Sequence, residues 1–201
     1  MVCIPYHTTC WPYHTDPIIM SNDNTKKEID WAGLKAKLPT ERTSDLQEKR
    51  RALFESFDPN GNGYLSLAEV DKGLTELGVT PDPLPKKVIM RAFQAAKGAH
   101  AASTNGPGAD FIELCEFRLL LVYLRRYLEV WLLFENVDHS GDHRISLDEF
   151  TTAAGQLKEL GNVSEAEFKA IDQNGGGMIL FDEFAEWALA KLLALEDFNM
   201  E

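Results

Sequence analysis

Twelve consecutive residues, Asp58-Pro-Asn-Gly-Asn-Gly-Tyr-Leu-Ser-Leu-Ala-Glu69, put an oxygen ligand at nearly every second position. That spacing suits a hard cation such as Ca2+, which takes six to eight oxygens at roughly 2.3–2.6 Å and requires the chain to curl around it. Asp58, Asn60 and Asn62 offer side-chain oxygens from positions 1, 3 and 5. Tyr64 offers its backbone carbonyl, Ser66 its hydroxyl directly or through water, and Glu69 both carboxylate oxygens. Gly63 at position 6 permits the positive φ of the sharp turn, and Leu65 at position 8 points away from the metal, toward a partner loop.

A second segment repeats the pattern. In Asp138-His-Ser-Gly-Asp-His-Arg-Ile-Ser-Leu-Asp-Glu149, side-chain oxygens come from Asp138, Ser140, Asp142, Ser146 and Glu149, and a carbonyl from Arg144. His143 stands where glycine is expected, and a non-glycine residue in the left-handed region costs about 1–2 kcal/mol. Three acidic ligands, against two in the first loop, act in the opposite direction. A third segment, 172–183, keeps Asp172, Asn174, the Met178 carbonyl, Gly177 and Glu183. It is the weaker set, because Gly176 and Leu180 bring no side-chain oxygen to positions 5 and 9 and water has to fill both gaps.

Such loops work only between helices. Leu53, Phe54 and Phe57 precede the first loop at helical spacing and Val70 and Leu74 follow it; Leu133, Phe134 and Val137 precede the second, and Phe150 follows. A helix over 45–57 is the clearest, and Gly78 with prolines at 81, 83 and 85 ends the next helical segment. A fourth unit keeps only the frame. Val88, Ile89 and Phe93 make its entering helix, and Phe111-Ile-Glu-Leu-Cys-Glu-Phe117 resembles the closing half of a loop. Matching Phe93 and Ala96 to Phe54 and Phe57 gives a twenty-residue loop, 97–116, with few oxygens. We read it as a structural partner whose Ile112 pairs with Leu65, and Cys115 as a small helix residue. The stretch 111–137 contains no Gly or Pro, which fits one long helix or two joined tightly.

The chain therefore reads as all-α and two-lobed: four helix–loop–helix units in two pairs with short loop-to-loop β contacts. The pairs occupy 26–124 and 125–201, after an extended arm at 1–25. The arm holds two near copies of a heptapeptide, Cys3-Ile-Pro-Tyr-His-Thr-Thr9 and Cys10-Trp-Pro-Tyr-His-Thr-Asp16. Cys3, His7, Cys10 and His14 are also a conceivable tetrahedral zinc set, although duplication of a short docking peptide explains the repeat equally well. Trp131, Trp187 and the apolar run 119–124 read as ordinary core.

Composition narrows the function. The 201 residues carry a formal charge of −12, which argues against a nucleic-acid partner, since binding a polyanion draws on clustered Lys and Arg. No apolar run approaches the ~20 residues of a membrane span. Three cysteines do not make a disulfide framework, so we expect a reducing, intracellular setting. We expect no enzyme: there is no phosphate-cradling glycine loop and no nucleophile motif, and His100, His139 and His143 lie in loops without an evident carboxylate partner arranged for catalysis.

These loops make the chain similar to the EF-hand superfamily, and within it the chain resembles the flagellar calcium-binding proteins, the calflagins. The resemblance runs from about Asp30 to Lys191 and rests on Trp31, Pro39, Lys49-Arg50-Arg51, the segment from Phe111 to Tyr123, and Phe181-Asp-Glu-Phe-Ala-Glu-Trp187. It implies a calcium sensor at the flagellum or cilium, attached to the membrane under calcium control, with calcium carried mainly by the C-terminal loops. Members that reach the membrane start with Gly after Met, for myristoylation; with Val2 here we expect none, and Cys3 alone is a single weak signal. A protein partner is then the expected target, received in an apolar groove of Leu, Phe and Trp or by the arm. The alternative is a structural component of the axoneme or a scaffold, docked through the arm, with calcium only stabilising the fold.

Overall fold

A computed structural model describes residues 31–79, 85–97, 110–158 and 160–198. The arm with Cys3, His7, Cys10 and His14, the prolines at 81 and 83, His100 and the interior of the loop 97–116 lie outside the described residues.

Helix α1 (Trp31–Lys37) precedes the first unit, α2 (Ser44–Phe57), β1 (Tyr64–Leu65) and α3 (Leu67–Glu76). The second unit begins with α4 (Lys86–Ala96) and continues through β2 (Ile112–Glu113) into α5 (Leu114–Val137). In the third, α5 leads through β3 (Arg144–Ile145) to α6 (Leu147–Thr152), with a further turn, α7 (Ala154–Leu157). The fourth comprises α8 (Glu165–Ile171), β4 (Ile179–Leu180) and α9 (Phe181–Phe198). Helix α5 is unbroken, so it serves at once as the exiting helix of the second unit and the entering helix of the third.

The loops pair through their position-8 residues. Strands β1 and β2 run antiparallel with Leu65 opposite Ile112, as the spacing predicts, and β3 and β4 do the same with Ile145 opposite Ile179. All four of these side chains are fully buried. Two-residue strands have little stability of their own, and burial of these apolar contacts holds the ladders together.

Aromatic residues at matching positions build the core. Phe54 and Phe57 meet the edge or face of Phe117 at centroid distances of 5.3 and 5.7 Å. Phe134, in the register of Phe54, meets Phe181 and Phe184 at 5.6 and 5.5 Å. Near-perpendicular pairing sets a positive ring edge against a negative face. Leu120, Leu121 and Leu124 are buried as expected, whereas Trp131 and Trp187 are only partly buried against the core. Gly73 sits so close to the Phe57 ring that a Cβ there would fall 2.5 Å from it; the missing side chain lets α3 approach α2.

Helix α1 is fixed by its apolar face and by backbone carbonyls. Leu34 and Leu38 are buried, and Lys37 donates to the Gly78 carbonyl at the end of α3. The connection to α2 is clamped by two guanidiniums: Arg50 donates to the carbonyls of Pro39 and Glu41, and Arg118 to that of Thr40.

Candidate metal centre

Each loop starts where its entering helix ends. In the first, Asp58 caps α2, and its carboxylate accepts the N–H groups of Asn62 and Gly63 at 3.2 and 2.8 Å, which draws the chain back over position 1. Asn60 Oδ1 accepts the Asn62 N–H and Asn62 Oδ1 accepts the Tyr64 N–H, so successive side-chain turns bend the loop. Loop 138–149 repeats this. Asp138, 7% exposed, accepts the Gly141 N–H at 2.7 Å, the His143 N–H at 2.8 Å and the Ser140 hydroxyl at 3.0 Å, and Asp142 accepts the Arg144 N–H.

The closing glutamates join the loop to the exiting helix. One Glu69 oxygen accepts both the N–H and the hydroxyl of Ser66, and the other accepts from Asn60 Nδ2 at 2.7 Å. Glu149 engages Ser146 in the same way, while its second oxygen takes the N–H groups of His139 and Ser140 at 3.1 and 3.0 Å. Ser66–Glu69 and Ser146–Glu149 are thus capping boxes for α3 and α6. A carboxylate here tethers the first turn of a helix to the far end of its loop.

The other two loops keep this frame with poorer ligands. Glu183 accepts from Leu180 N–H on one oxygen and from Asn174 Nδ2 on the other, and Asp172 takes the N–H groups of Gly176 and Gly177. Position 5 in this loop is closed as well as empty: a Cβ on Gly176 would lie 2.5 Å from Asn174 Oδ1. In the long loop, Glu116 is buried and caps α5 from the closing position by accepting the Glu113 N–H at 3.1 Å. Lys97 and Asp110 pair at 3.2 Å across the loop's described ends.

Loops 58–69 and 138–149 therefore bring together the side chains that the spacing picks out: Asp58, Asn60, Asn62, Ser66 and Glu69 in one, and Asp138, Ser140, Asp142, Ser146 and Glu149 in the other. With the carbonyls of Tyr64 and Arg144 they form two all-oxygen donor sets, which fits a hard divalent cation. Two of the loop histidines have close neighbours at a ring nitrogen. His143 Nδ1 lies 3.1 Å from Glu135 Oε1, and His139 Nδ1 faces the Val137 carbonyl at 2.8 Å. His143 adopts φ 60°, and from that left-handed backbone its ring reaches back to α5. The signal in the sequence was the pairing of Glu135, three residues before the loop, with a bulky position 6.

Among known proteins, the FCaBP EF-hand domain family matches residues 34–124, from α1 into the middle of α5. A flagellar calcium-binding protein of Trypanosoma cruzi is 34% identical over 165 residues, covering 80% of this chain and 78% of that protein. Flagellar calcium-binding protein TB-24 of Trypanosoma brucei brucei is 33% identical over 173 residues, 83% of this chain and 79% of its own length. Calcium-binding protein 4 of Mus musculus is 29% identical over 147 residues, 68% of this chain and 51% of that protein.

Proposed function

The chain belongs to the flagellar calcium-binding protein family, and from that membership we propose that it binds Ca2+ in loops 58–69 and 138–149 and works in the flagellum as a calcium-responsive switch. Its role on this reading is binding rather than catalysis, in keeping with the names of those relatives. The observation that carries the switch is the double engagement of Glu69 and Glu149. Each caps its exiting helix with one oxygen and holds the loop's opening residues with the other.

A Ca2+ ion held by these residues would supply a concentrated positive charge for those oxygens to ligate. A cation held by both Glu69 oxygens would take the acceptor now used by Asn60 Nδ2 and share the one used by Ser66, and through the Ser66 cap that change would reach the first turn of α3. Glu149 acts on α6 in the same way. In a sensor such helix movement uncovers apolar surface, whereas a buffer barely opens. Trp187 is a natural reporter: its indole N–H on α9 donates to Glu167 on α8 at 2.7 Å, and its ring packs on Phe150 of α6.

The test is a calcium titration of the full chain, followed by tryptophan emission and by an apolar dye, with uptake measured by calorimetry. We expect emission and dye binding to change together as the sites fill, with the emission change strongly reduced in Trp187→Phe. Calcium uptake with no gain in dye binding would overturn the switch and make the chain a buffer.

A further inference from the structure

Loop 138–149 differs from its counterparts at position 6. That position is Gly63 in the first loop (φ +82°) and Gly177 in the last (φ +75°), and a Cβ on either would meet nothing within 4 Å. His143 holds the same left-handed backbone, which L side chains seldom adopt, and its ring stands 3.1 Å from Glu135 at the end of α5. One ligand atom each from Glu135, Asp138 and His143 all lie within 4.8 Å of one another.

The set differs in chemistry from the calcium donors beside it. Two carboxylates and an imidazole suit a borderline divalent transition ion, for which ring nitrogen is a good ligand, better than they suit Ca2+. The His143 side chain is 68% exposed and that of Glu135 31%, which leaves room for water in the remaining coordination positions. The corresponding residues elsewhere are Glu55, Asp58 and Gly63 in the first loop and Lys169, Asp172 and Gly177 in the last. Neither completes the set, and Glu55 is paired with Arg51 at 3.4 Å.

We propose that Glu135, Asp138 and His143 form a second metal site, for Zn2+ or a similar borderline divalent ion, built against the calcium loop and sharing Asp138 with it. The shared carboxylate links the two ions. Both draw on its charge and repel each other, so each weakens the other by the same factor. This coupling rests on calcium binding at loop 138–149; the zinc site itself does not.

Zn2+ is titrated calorimetrically into the full chain carrying Cys3→Ser and Cys10→Ser, which removes the arm's thiolates as rival ligands. In calcium-free buffer we expect one zinc equivalent that is weakened at least tenfold by His143→Gly and, separately, by Glu135→Gln. His143→Gly installs the residue that the backbone favours, and circular dichroism checks that both variants keep the parent's helix content. Saturating Ca2+ should also weaken zinc binding in the parent. Zinc affinity unchanged by His143→Gly would overturn the site. Zinc affinity equal with and without calcium, where calcium is shown to bind, would overturn the sharing of Asp138.

Discussion

Burial alone would push the Glu149 carboxyl up, yet hydrogen bonds from the Ser146 N–H and hydroxyl and from the Ser140 and His139 N–H groups hold it below the usual carboxylate range. An unfolded glutamate titrates near pH ~4.3. The stabilisation that follows is complete above that value and is lost as pH falls through the lower folded value. Thermal melts in chelator at falling pH should therefore show a smaller acid loss of Tm in Glu149→Gln than in the parent; equal losses would contradict this account of Glu149. Gly176 offers a second residue-level test. Gly176→Asp gives the loop 172–183 an acidic position 5, and the obstructing Asn174 amide is the far end of a side chain that can turn aside. Calorimetry should then find calcium binding in this loop strengthened about tenfold or more over the parent. The convergence of the loop side chains was legible because alternate oxygens and a closing glutamate are local patterns. The contact between His143 and Glu135 was not, because it depends on where a left-handed residue sends its ring.

At the level of elements, Gly73 decides how closely α3 lies on α2. Gly73→Ala adds a Cβ that would meet the Phe57 ring at 2.5 Å. Overpacking of this kind costs about 1–3 kcal/mol, against roughly 1 kcal/mol gained from alanine's better helix propensity. Urea unfolding should show net destabilisation with an unchanged m-value. Helix faces and the pairing of Leu65 with Ile112 followed from apolar spacing and from the inward position 8. The continuity of α5 did not, since a stretch without Gly or Pro permits one helix or two, and packing on both sides decides. The break between α6 and α7 was hidden too. Thr151 turns its hydroxyl onto the Leu147 and Asp148 carbonyls, and Ala153 leaves the helical region at ψ 8°; neither carries a glycine or proline signal.

Across the whole molecule, α5 joins the two pairs of loops, and the Arg91–Asp182 ion pair at 2.9 Å adds a tie between α4 and the first turn of α9. Asp182 adjoins the closing Glu183 of the fourth unit. Among the described residues no helix is long and apolar enough to cross a membrane. Four-unit organisation was legible because each unit repeats one pattern of apolar flanks, whereas the packing of α1 through Leu34, Leu38 and the Arg50 and Arg118 clamps depends on carbonyls that carry no residue signature. The proposed switch depends on calcium being held by Glu69 and Glu149. The most direct measurement is calcium stoichiometry by calorimetry for the parent, Glu69→Gln, Glu149→Gln and the double variant. The account predicts that each single change removes one strong equivalent and that the double change removes both. Full uptake in the double variant, or no uptake by the parent at millimolar calcium, would contradict it.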